Sequence, residues 1–175
     1  MELEELPRVI DALCRLPRIG WVNRGISDPE TVCSHTLLTA YIAINLAKAS
    51  GLDAGKAALL ALIHDVAEHK LGDVVREVRE MNMDYWRELE QGVANELGLG
   101  KEFQEYSEGI SGEARVVMIS DKLATLLRAC RYREQGEDVE SLITYYSKAV
   151  KSMLSYLNGD AAAQVEAIIN SCLHA

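Results

Sequence analysis

Proline is scarce in this chain: three residues occur, and the last is Pro29, so residues 30–175 contain none. Proline removes a backbone N–H and clashes with the preceding helical turn, so its absence leaves long helices possible. The strong helix formers Ala, Leu, Glu, Lys and Arg dominate the sequence. These features predict an all-α fold.

Positive charge and long apolar runs are also in short supply. There are 18 Lys and Arg against 27 Asp and Glu, a net charge of −9, and no basic stripe, which argues against binding of a nucleic-acid polymer. A small anion would have to be met by a local cationic cluster. No run approaches the roughly 18 apolar residues of a membrane span, and the acidic start MELEEL is unlike a signal peptide. We therefore expect a soluble protein without membrane association.

Cysteine pairs with metal-binding spacing are absent. The four cysteines are widely separated and form no Cys-x-x-Cys motif: Cys14, Cys33, Cys130 and Cys172. This pattern predicts neither a zinc-thiolate site nor a disulfide framework, and it favours a reducing cytoplasm as the location.

The overall composition is typical of one folded domain. Hydrophobic residues make up 49% of the chain and charged residues 26%, a balance unlike that of disordered segments. We expect residues 1–175 to form a single domain, with a core over residues 31–135 and C-terminal helices over 136–175 packed on it. The apolar periodicity predicts helices over residues 2–16, 28–50, 54–68, 84–97, 112–135, 139–157 and 161–173, with a short one after residue 72.

The helix predicted for residues 54–68 is apolar nearly all round, which indicates burial. It ends in the segment HDVAE, which carries His64, Asp65 and Glu68. Glu68 lies four residues after His64 and three after Asp65, so it shares a face with each. A buried carboxylate needs a cation or hydrogen bonds to offset its desolvation. A divalent metal would supply that cation; the alternative is a helix-terminal His and Asp that cap their neighbours.

Two more polar residues interrupt apolar helical segments. His35 precedes TLLTAYIAINLA, and Asp121 lies within ARVVMISDKLATLLRA, directly before Lys122. Taken singly, His35 could be a satisfied core residue and Asp121–Lys122 a solvated pair. Taken with His64 and Asp65, they form a set of imidazoles and carboxylates suited to a divalent transition metal with open water positions. The lack of thiolates disfavours a closed structural zinc site.

The order His35, His64-Asp65, Asp121 resembles the HD superfamily of metal-dependent phosphohydrolases. The segments LPRIGWVNRGISDPETVCSH, LIHDVAEHKLGDV and ISDKL further resemble the HD-domain 5'-deoxynucleotidase family. The resemblance implies a helical bundle of the HD type. It also implies one divalent metal held by those four residues, with Mn, Co, Fe, Ni, Zn and Mg all open.

The resemblance implies roles for further residues. Glu68 matches the family's catalytic carboxylate, which either transfers a proton to the leaving oxygen or orients a water. Asp73 matches an acid beside the sugar, although it could instead cap a helix after Gly72. Trp21 matches a tryptophan of the substrate loop, where it would pack on the ligand or wedge the loop against the core.

Phosphate contacts cannot be assigned by position alone. Some bacterial members have an Arg directly before that Trp, where this chain has Gly20. We expect Lys122 and either Arg18 or Arg24 to contact the phosphate, although each could be a surface charge.

The resulting hypothesis is an enzyme that removes the 5'-phosphate of deoxyribonucleoside 5'-monophosphates by means of a metal-activated water. Its partner would be a small nucleotide monophosphate, and the family resemblance favours a homodimer. One alternative is another nucleotide phosphohydrolase of the superfamily, acting on a cyclic or diphosphate nucleotide. Another is a non-catalytic, metal-binding helical scaffold.

Overall fold

The computed structural model describes residues 3–174, and within that range it contains eleven α-helices, two 3-10 turns and no strand. The prediction of an all-α fold is confirmed. None of these helices is both long enough and apolar enough to span a membrane. The helices are α1 (Leu6–Arg15), α2 (Ile19–Val22), α3 (Val32–Ala49), α4 (Ala54–Ile63), α5 (Glu68–Leu71), α6 (Arg76–Glu80), α7 (Met83–Glu96), α8 (Gly100–Ser107), α9 (Gly112–Glu134), α10 (Glu140–Ser152) and α11 (Gly159–His174).

Helices α3, α4 and α9 form the centre of the bundle. Each packs against the other two, α1 covers α3, and α10 lies on α9. The longest helix, α9, is buried over much of its length and places Ile119, Leu123 and Leu126 in the core. The three central helices also bring the polar residues singled out above to one region, because α3 carries His35, α9 carries Asp121 and α4 ends next to His64.

The helix predicted over residues 54–68 is interrupted. Helix α4 ends at Ile63, and a turn separates it from α5, which begins at Glu68. The Nδ1 atom of His64 lies 2.7 Å from the carbonyl oxygen of Ala61. In a continued helix that carbonyl would accept from the backbone N–H of Asp65. The histidine side chain therefore competes with the helix at the point where it stops.

The helix predicted to start at residue 28 begins later. Thr31 is the N-cap of α3, and its hydroxyl accepts from the backbone N–H of Ser34. The preceding residues are extended, because Thr31 forms an isolated antiparallel bridge with Pro17 and the Glu30 carbonyl accepts from the Arg18 N–H. The Asp-Pro-Glu signal was therefore wrong as a helix start.

The prediction of no disulfide framework is also wrong. Cys14 on α1 is bonded to Cys33 on α3, and Cys130 on α9 is bonded to Cys172 on α11. The Cα atoms of the two pairs are 4.6 and 5.9 Å apart, within the usual range for a disulfide. Helix packing closes sequence separations of 19 and 42 residues, which spacing along the chain does not reveal. The cysteine pattern thus gives no support to a cytoplasmic location, which stays a prediction.

Candidate metal centre

Four residues converge where α3, α4 and α9 meet. The Nε2 atom of His35 lies 3.1 Å from Asp121 Oδ1 and 3.8 Å from Asp65 Oδ2. The Nε2 atom of His64 lies 3.0 Å from the same Asp65 oxygen. Ligand atoms of His35, His64 and Asp121 all lie within 4.8 Å of one another. Two imidazole nitrogens and two carboxylates therefore face one small volume.

Two buried atoms in this region lack a hydrogen-bond partner among residues 3–174: His64 Nε2 and Glu68 Oε2. The nearby Asp65 oxygen is close to His64 Nε2 but does not accept a hydrogen bond from it. A buried polar atom without a partner costs about 1–3 kcal/mol. A cation between these groups would remove that penalty, and the nitrogen and oxygen donors suit a divalent metal. The residues therefore fit such an ion.

The two aspartates are held in their ionised form. Burial would raise the pKa of Asp121, but Lys122 and His35 outweigh it and hold that pKa well below its ordinary value. Burial is likewise outweighed at Asp65, where His64 lowers the pKa. The pKa of His35 is lowered, first by burial and then by the positive charge of Arg18, which favours the neutral imidazole. Ionised carboxylates and neutral imidazoles are the forms that bind metals. His35 favours that form, whereas the burial of His64 is outweighed by Asp65 and Asp121, which raise its pKa.

Glu68 has the opposite tendency. Glu68 is 6% exposed and is the first residue of the short helix α5 beside the cluster. Burial, followed by the negative charges of Asp65 and Asp73, raises the pKa of Glu68 well above its ordinary value. A carboxyl group that keeps its proton near neutral pH can act as an acid.

Of the two arginines considered for phosphate contact, the structure places Arg18 deeper. Its Nη1 lies 2.7 Å from His35 Nδ1 and donates to Thr125 Oγ1 at 3.1 Å. Burial would lower the pKa of Arg18, but the charges of Asp65 and Asp121 outweigh it and raise that pKa. Arg24 is exposed at the rim, where it donates to the carbonyl of Gly20 at 2.9 Å. The cation nearest the cluster on this side is therefore Arg18.

Asp73 does not cap the helix that follows it. The N-cap of α6 is Val75, and the Asp73 carboxylate instead accepts from the backbone N–H of Ile19, the first residue of α2. Burial raises the pKa of Asp73, partly offset by the charge of Arg18. This carboxylate thus ties the loop around α2 to the turn after α5.

Trp21 and Lys122 border the site in different ways. Trp21 is 2% exposed, donates through Nε1 to Glu30 Oε2 at 3.3 Å, and packs edge-on against the ring of Tyr132. Of the two expectations for Trp21, wedging the loop against the core agrees better with this burial. The Lys122 side chain is 40% exposed and its Nζ donates to Asp121 Oδ2 at 2.7 Å.

A cavity of about 740 Å³ opens beside the cluster. This volume is within the usual range for small-molecule sites. Its wall includes all of the sequence-predicted site residues except the buried His35: Arg18, Trp21, Arg24, His64, Asp65, Glu68, Asp73, Asp121 and Lys122.

Sequence reasoning missed other residues of this wall. Tyr106 packs its ring edge-on against His64, with centroids 5.8 Å apart, but it lies on α8, a helix that the periodicity did not predict. Arg79 forms an ion pair with Glu90. Burial would lower the pKa of Arg79, but the charges of Glu90 and Asp65 raise it. The segment REVRE around Arg79 carries no signal beyond that of a solvated helix.

Comparison with known proteins gives consistent matches. A family model described as the HD domain matches residues 10–160. The 5'-deoxynucleotidase HDDC2 of Bos taurus is 31% identical over 143 residues, which cover 77% of this chain and 67% of that protein. The 5'-deoxynucleotidase HDDC2 of Danio rerio is 27% identical over 177 residues, which cover 91% of this chain and 88% of that protein.

Solved structures agree on the fold. A protein from Pyrococcus horikoshii OT3 superposes with a TM-score of 0.81 at 26% identity, covering 95% of this chain and 99% of that one. A protein from Magnetospirillum magnetotacticum MS-1, named "Predicted metal-dependent phosphohydrolase", superposes with a TM-score of 0.71 at 20% identity, covering 97% of this chain and 91% of that one. This second likeness concerns the fold alone. The resemblance inferred from the sequence motifs is confirmed, and the chain belongs to the HD domain family.

Proposed function

We propose that this protein is a metal-dependent phosphohydrolase that removes the 5'-phosphate of deoxyribonucleoside 5'-monophosphates. The observation that carries the proposal is the convergence of His35, His64, Asp65 and Asp121 beside a cavity of about 740 Å³. The names of the curated relatives, 5'-deoxynucleotidases, support the reaction and the substrate class.

The four converging residues are the proposed metal ligands. A divalent cation bound there would supply an activated water at neutral pH and neutralise charge on a phosphate oxygen. The unpartnered His64 Nε2 and the low pKa of Asp121 support this assignment. The identity of the metal stays open, since nitrogen and oxygen ligands of this kind accept Mn, Co, Fe, Ni or Zn, and also Mg.

Glu68 is the proposed acid. Hydrolysis of a phosphate ester leaves an alkoxide on the 5'-oxygen unless a proton is delivered as the P–O bond breaks. The raised pKa of Glu68 favours the protonated carboxyl, and its buried Oε2 has no partner within residues 3–174. Glu68 would give its proton to the leaving 5'-oxygen and recover one from solvent.

Arg18 and Lys122 are proposed to bind the phosphate. Phosphoryl transfer depends mainly on positioning and charge neutralisation, and in a chain of net charge −9 the cations must be local. Both side chains border the cavity and lie beside the aspartates of the cluster. Arg24, at the rim, would assist more weakly, and Trp21 would hold the loop that carries Arg18.

Asp73 is proposed to bind the sugar of the substrate and to select deoxyribose. Its carboxylate borders the same cavity and is fixed by the Ile19 N–H. It would accept a hydrogen bond from the 3'-hydroxyl and leave little room for a 2'-hydroxyl. The proposed preference for deoxyribonucleotides depends on this contact.

The test is phosphate release from the four deoxyribonucleoside 5'-monophosphates and their ribo counterparts, with Mn²⁺ or Co²⁺ and with chelator. We expect release from the deoxyribonucleotides, little from the ribonucleotides, and none with chelator. Equal turnover of both sugars would reject the role of Asp73 but leave the metal centre intact. Pyrophosphate or a linear nucleotide as product, from diphosphate or cyclic substrates, would instead identify another phosphohydrolase of the superfamily. Metal binding without hydrolysis of any nucleotide would identify a scaffold.

A further inference from the structure

Glu30 is a buried carboxylate next to the cluster that the sequence motifs did not single out as a site residue. It lies in the extended segment before α3, and its side chain is inaccessible to solvent. Its Oε1 accepts from Arg128 Nε at 2.9 Å and its Oε2 accepts from Trp21 Nε1 at 3.3 Å. Its backbone N–H donates to the hydroxyl of Tyr132 at 2.7 Å. Groups from α2 and α9 therefore hold this carboxylate in one place.

The held carboxylate faces the outer nitrogen of His35. Glu30 Oε2 lies 3.9 Å from His35 Nδ1 and 3.8 Å from Arg18 Nη1. In this structure Arg18 Nη1 is 2.7 Å from the same Nδ1. A guanidinium can only donate, so here Nδ1 accepts and the ring hydrogen resides on Nε2, directed at Asp121 Oδ1.

That hydrogen position is incompatible with coordination through Nε2. A neutral histidine that binds a metal through one ring nitrogen carries its hydrogen on the other, and a carboxylate or carbonyl usually accepts it. For His35 the nitrogen that faces the cluster is Nε2, so metal binding would place the hydrogen on Nδ1. Arg18 offers no acceptor, whereas the Glu30 carboxylate beside it does.

We propose that Glu30 is a positioning residue of the metal centre, which accepts the Nδ1–H of His35 when Nε2 of that histidine binds the metal. Arg18 then gives up its bond to Nδ1 and becomes available to a phosphate in the cavity. Glu30 acts through His35 and does not touch the substrate. This inference rests on the proposed metal-dependent function.

The test uses Mn²⁺ as probe and the Glu30→Gln variant, which keeps the size of the side chain but removes its charge. Loss of a hydrogen-bonded partner of a metal ligand typically weakens metal affinity by roughly 10- to 100-fold. We expect a decrease of that size in Mn²⁺ affinity, followed by the electron paramagnetic resonance signal of free Mn²⁺. Thermal melting of the metal-free proteins provides the readout of folding.

Glu113→Gln is the matched control. Glu113 is on α9, eight residues before Asp121, and its side chain is 14% exposed. Its carboxylate accepts from the Asp53 N–H and faces Lys56. Its Mn²⁺ affinity should equal that of the unaltered protein. A decrease in this control as large as that of Glu30→Gln would overturn the inference, because it would make the effect a general one.

A second variant covers the case in which Glu30→Gln does not fold. Arg128, whose side chain is 30% exposed, holds Glu30 Oε1, so Arg128→Gln should loosen the carboxylate and weaken Mn²⁺ binding by a smaller factor. If the folded Glu30→Gln variant, or Arg128→Gln in its place, binds Mn²⁺ like the unaltered protein, the inference is overturned and the proposed function stands. If the unaltered protein binds no Mn²⁺, Co²⁺ or Zn²⁺, both are overturned.

Discussion

At the residue scale, the most informative side chain is Glu68, because it is the proposed acid of the reaction but not one of the proposed metal ligands. Glu68→Gln should lower kcat by roughly 10²- to 10⁴-fold, the usual contribution of general acid–base catalysis. Metal content should stay the same. Steady-state phosphate release and elemental analysis of the same preparation check both statements. A variant with full kcat would show that Glu68 is not the acid.

The same residue predicts how the metal-free protein responds to pH. The pKa of Glu68 is raised in the folded state by burial and by the negative charges of Asp65 and Asp73, so the folded protein holds this proton more tightly than the unfolded chain. Its contribution to stability is complete below the unfolded pKa and is lost as pH rises through the folded pKa. Relative to Glu68→Gln, the unaltered protein should therefore become less stable as the pH rises above about 4, the ordinary range of a glutamate pKa. Urea midpoints in chelator check this; parallel curves for the two proteins would contradict it.

Arg18 and Arg24 offer a comparison between a deep and a rim cation. Arg18→Met should lower kcat/KM by roughly 10²-fold, mostly through KM, because it removes a charge that the proposal places on the phosphate. Arg24→Met should have a much smaller effect, since that side chain is exposed. Kinetics with a deoxyribonucleotide at saturating Mn²⁺ measure both. Equal effects of the two substitutions would contradict the assignment.

The sequence identifies the residues that converge, but it does not reveal their partners. His35, His64, Asp65 and Asp121 stand out because ionisable groups in apolar helical segments need compensation. The choice between Arg18 and Arg24 depends on the direction of a loop, which the sequence does not specify. The bond from Ile19 to Asp73 joins residues 54 positions apart, a contact without a local signal.

At the element scale, the turn between α5 and α6 positions Asp73. Gly72 adopts φ 78° and ψ 162°, a region that is essentially restricted to glycine, and strain of this kind costs about 1–3 kcal/mol for other residues. Gly72→Ala should therefore destabilise the protein by about that amount and weaken discrimination against ribonucleotides by shifting Asp73. Apart from Gly72 and its chain neighbours, no atom of the described residues lies within 4 Å of the added Cβ, so the effect would come from the backbone alone.

Gly159→Ala is the control for that change. Gly159 begins α11 and has no positive φ. Among the residues that the structure describes, it likewise has nothing beyond its chain neighbours within 4 Å of an added Cβ. Its stability should be unchanged or slightly raised. Thermal melts and the ratio of deoxyribonucleotide to ribonucleotide turnover measure both variants. A Gly72→Ala protein that matches Gly159→Ala in both respects would contradict the prediction.

Long, strongly periodic helices are the part of the fold that the sequence predicts best. Helices α9 and α11 lie close to their predicted ranges, and α3 ends close to its predicted end, because each has a continuous apolar pattern. Helix α8 was missed, since Phe103 is its one fully buried residue within the described range and a single position sets no period. The four-residue helix α2 is too short to show any periodicity.

At the scale of the whole molecule, the two disulfides join distant parts of the chain. Cross-links of this kind stabilise mainly by restricting the unfolded chain, by about 3 kcal/mol for a 15-residue loop and more for longer loops. A reducing agent should therefore lower the denaturation midpoint. Cys130→Ser should lower the free energy of unfolding more than Cys14→Ser, because the Cys130–Cys172 bond closes a loop of 42 residues and the Cys14–Cys33 bond one of 19. Identical midpoints with and without reductant would contradict this expectation.

Quaternary structure and location stay predictions. The homodimer rests on the family resemblance, and light scattering of the purified protein would measure it. The cytoplasmic location has lost its support from the cysteines. The net charge of −9 remains consistent with a small-molecule substrate, since the only cations that the proposal requires lie at the cavity itself.

The hydrogen bond that stops α4 also determines the chemistry of His64. A carbonyl oxygen cannot donate, so the contact with Ala61 fixes the imidazole hydrogen on Nδ1. In the neutral ring the lone pair of Nε2 then faces the cluster, so coordination through Nε2 needs no change of tautomer. One contact, between His64 Nδ1 and the Ala61 carbonyl, thus both ends α4 and sets the tautomer of a proposed metal ligand. His35 lies within the continuous helix α3, and its hydrogen has to move from Nε2 to Nδ1 before Nε2 can bind a metal.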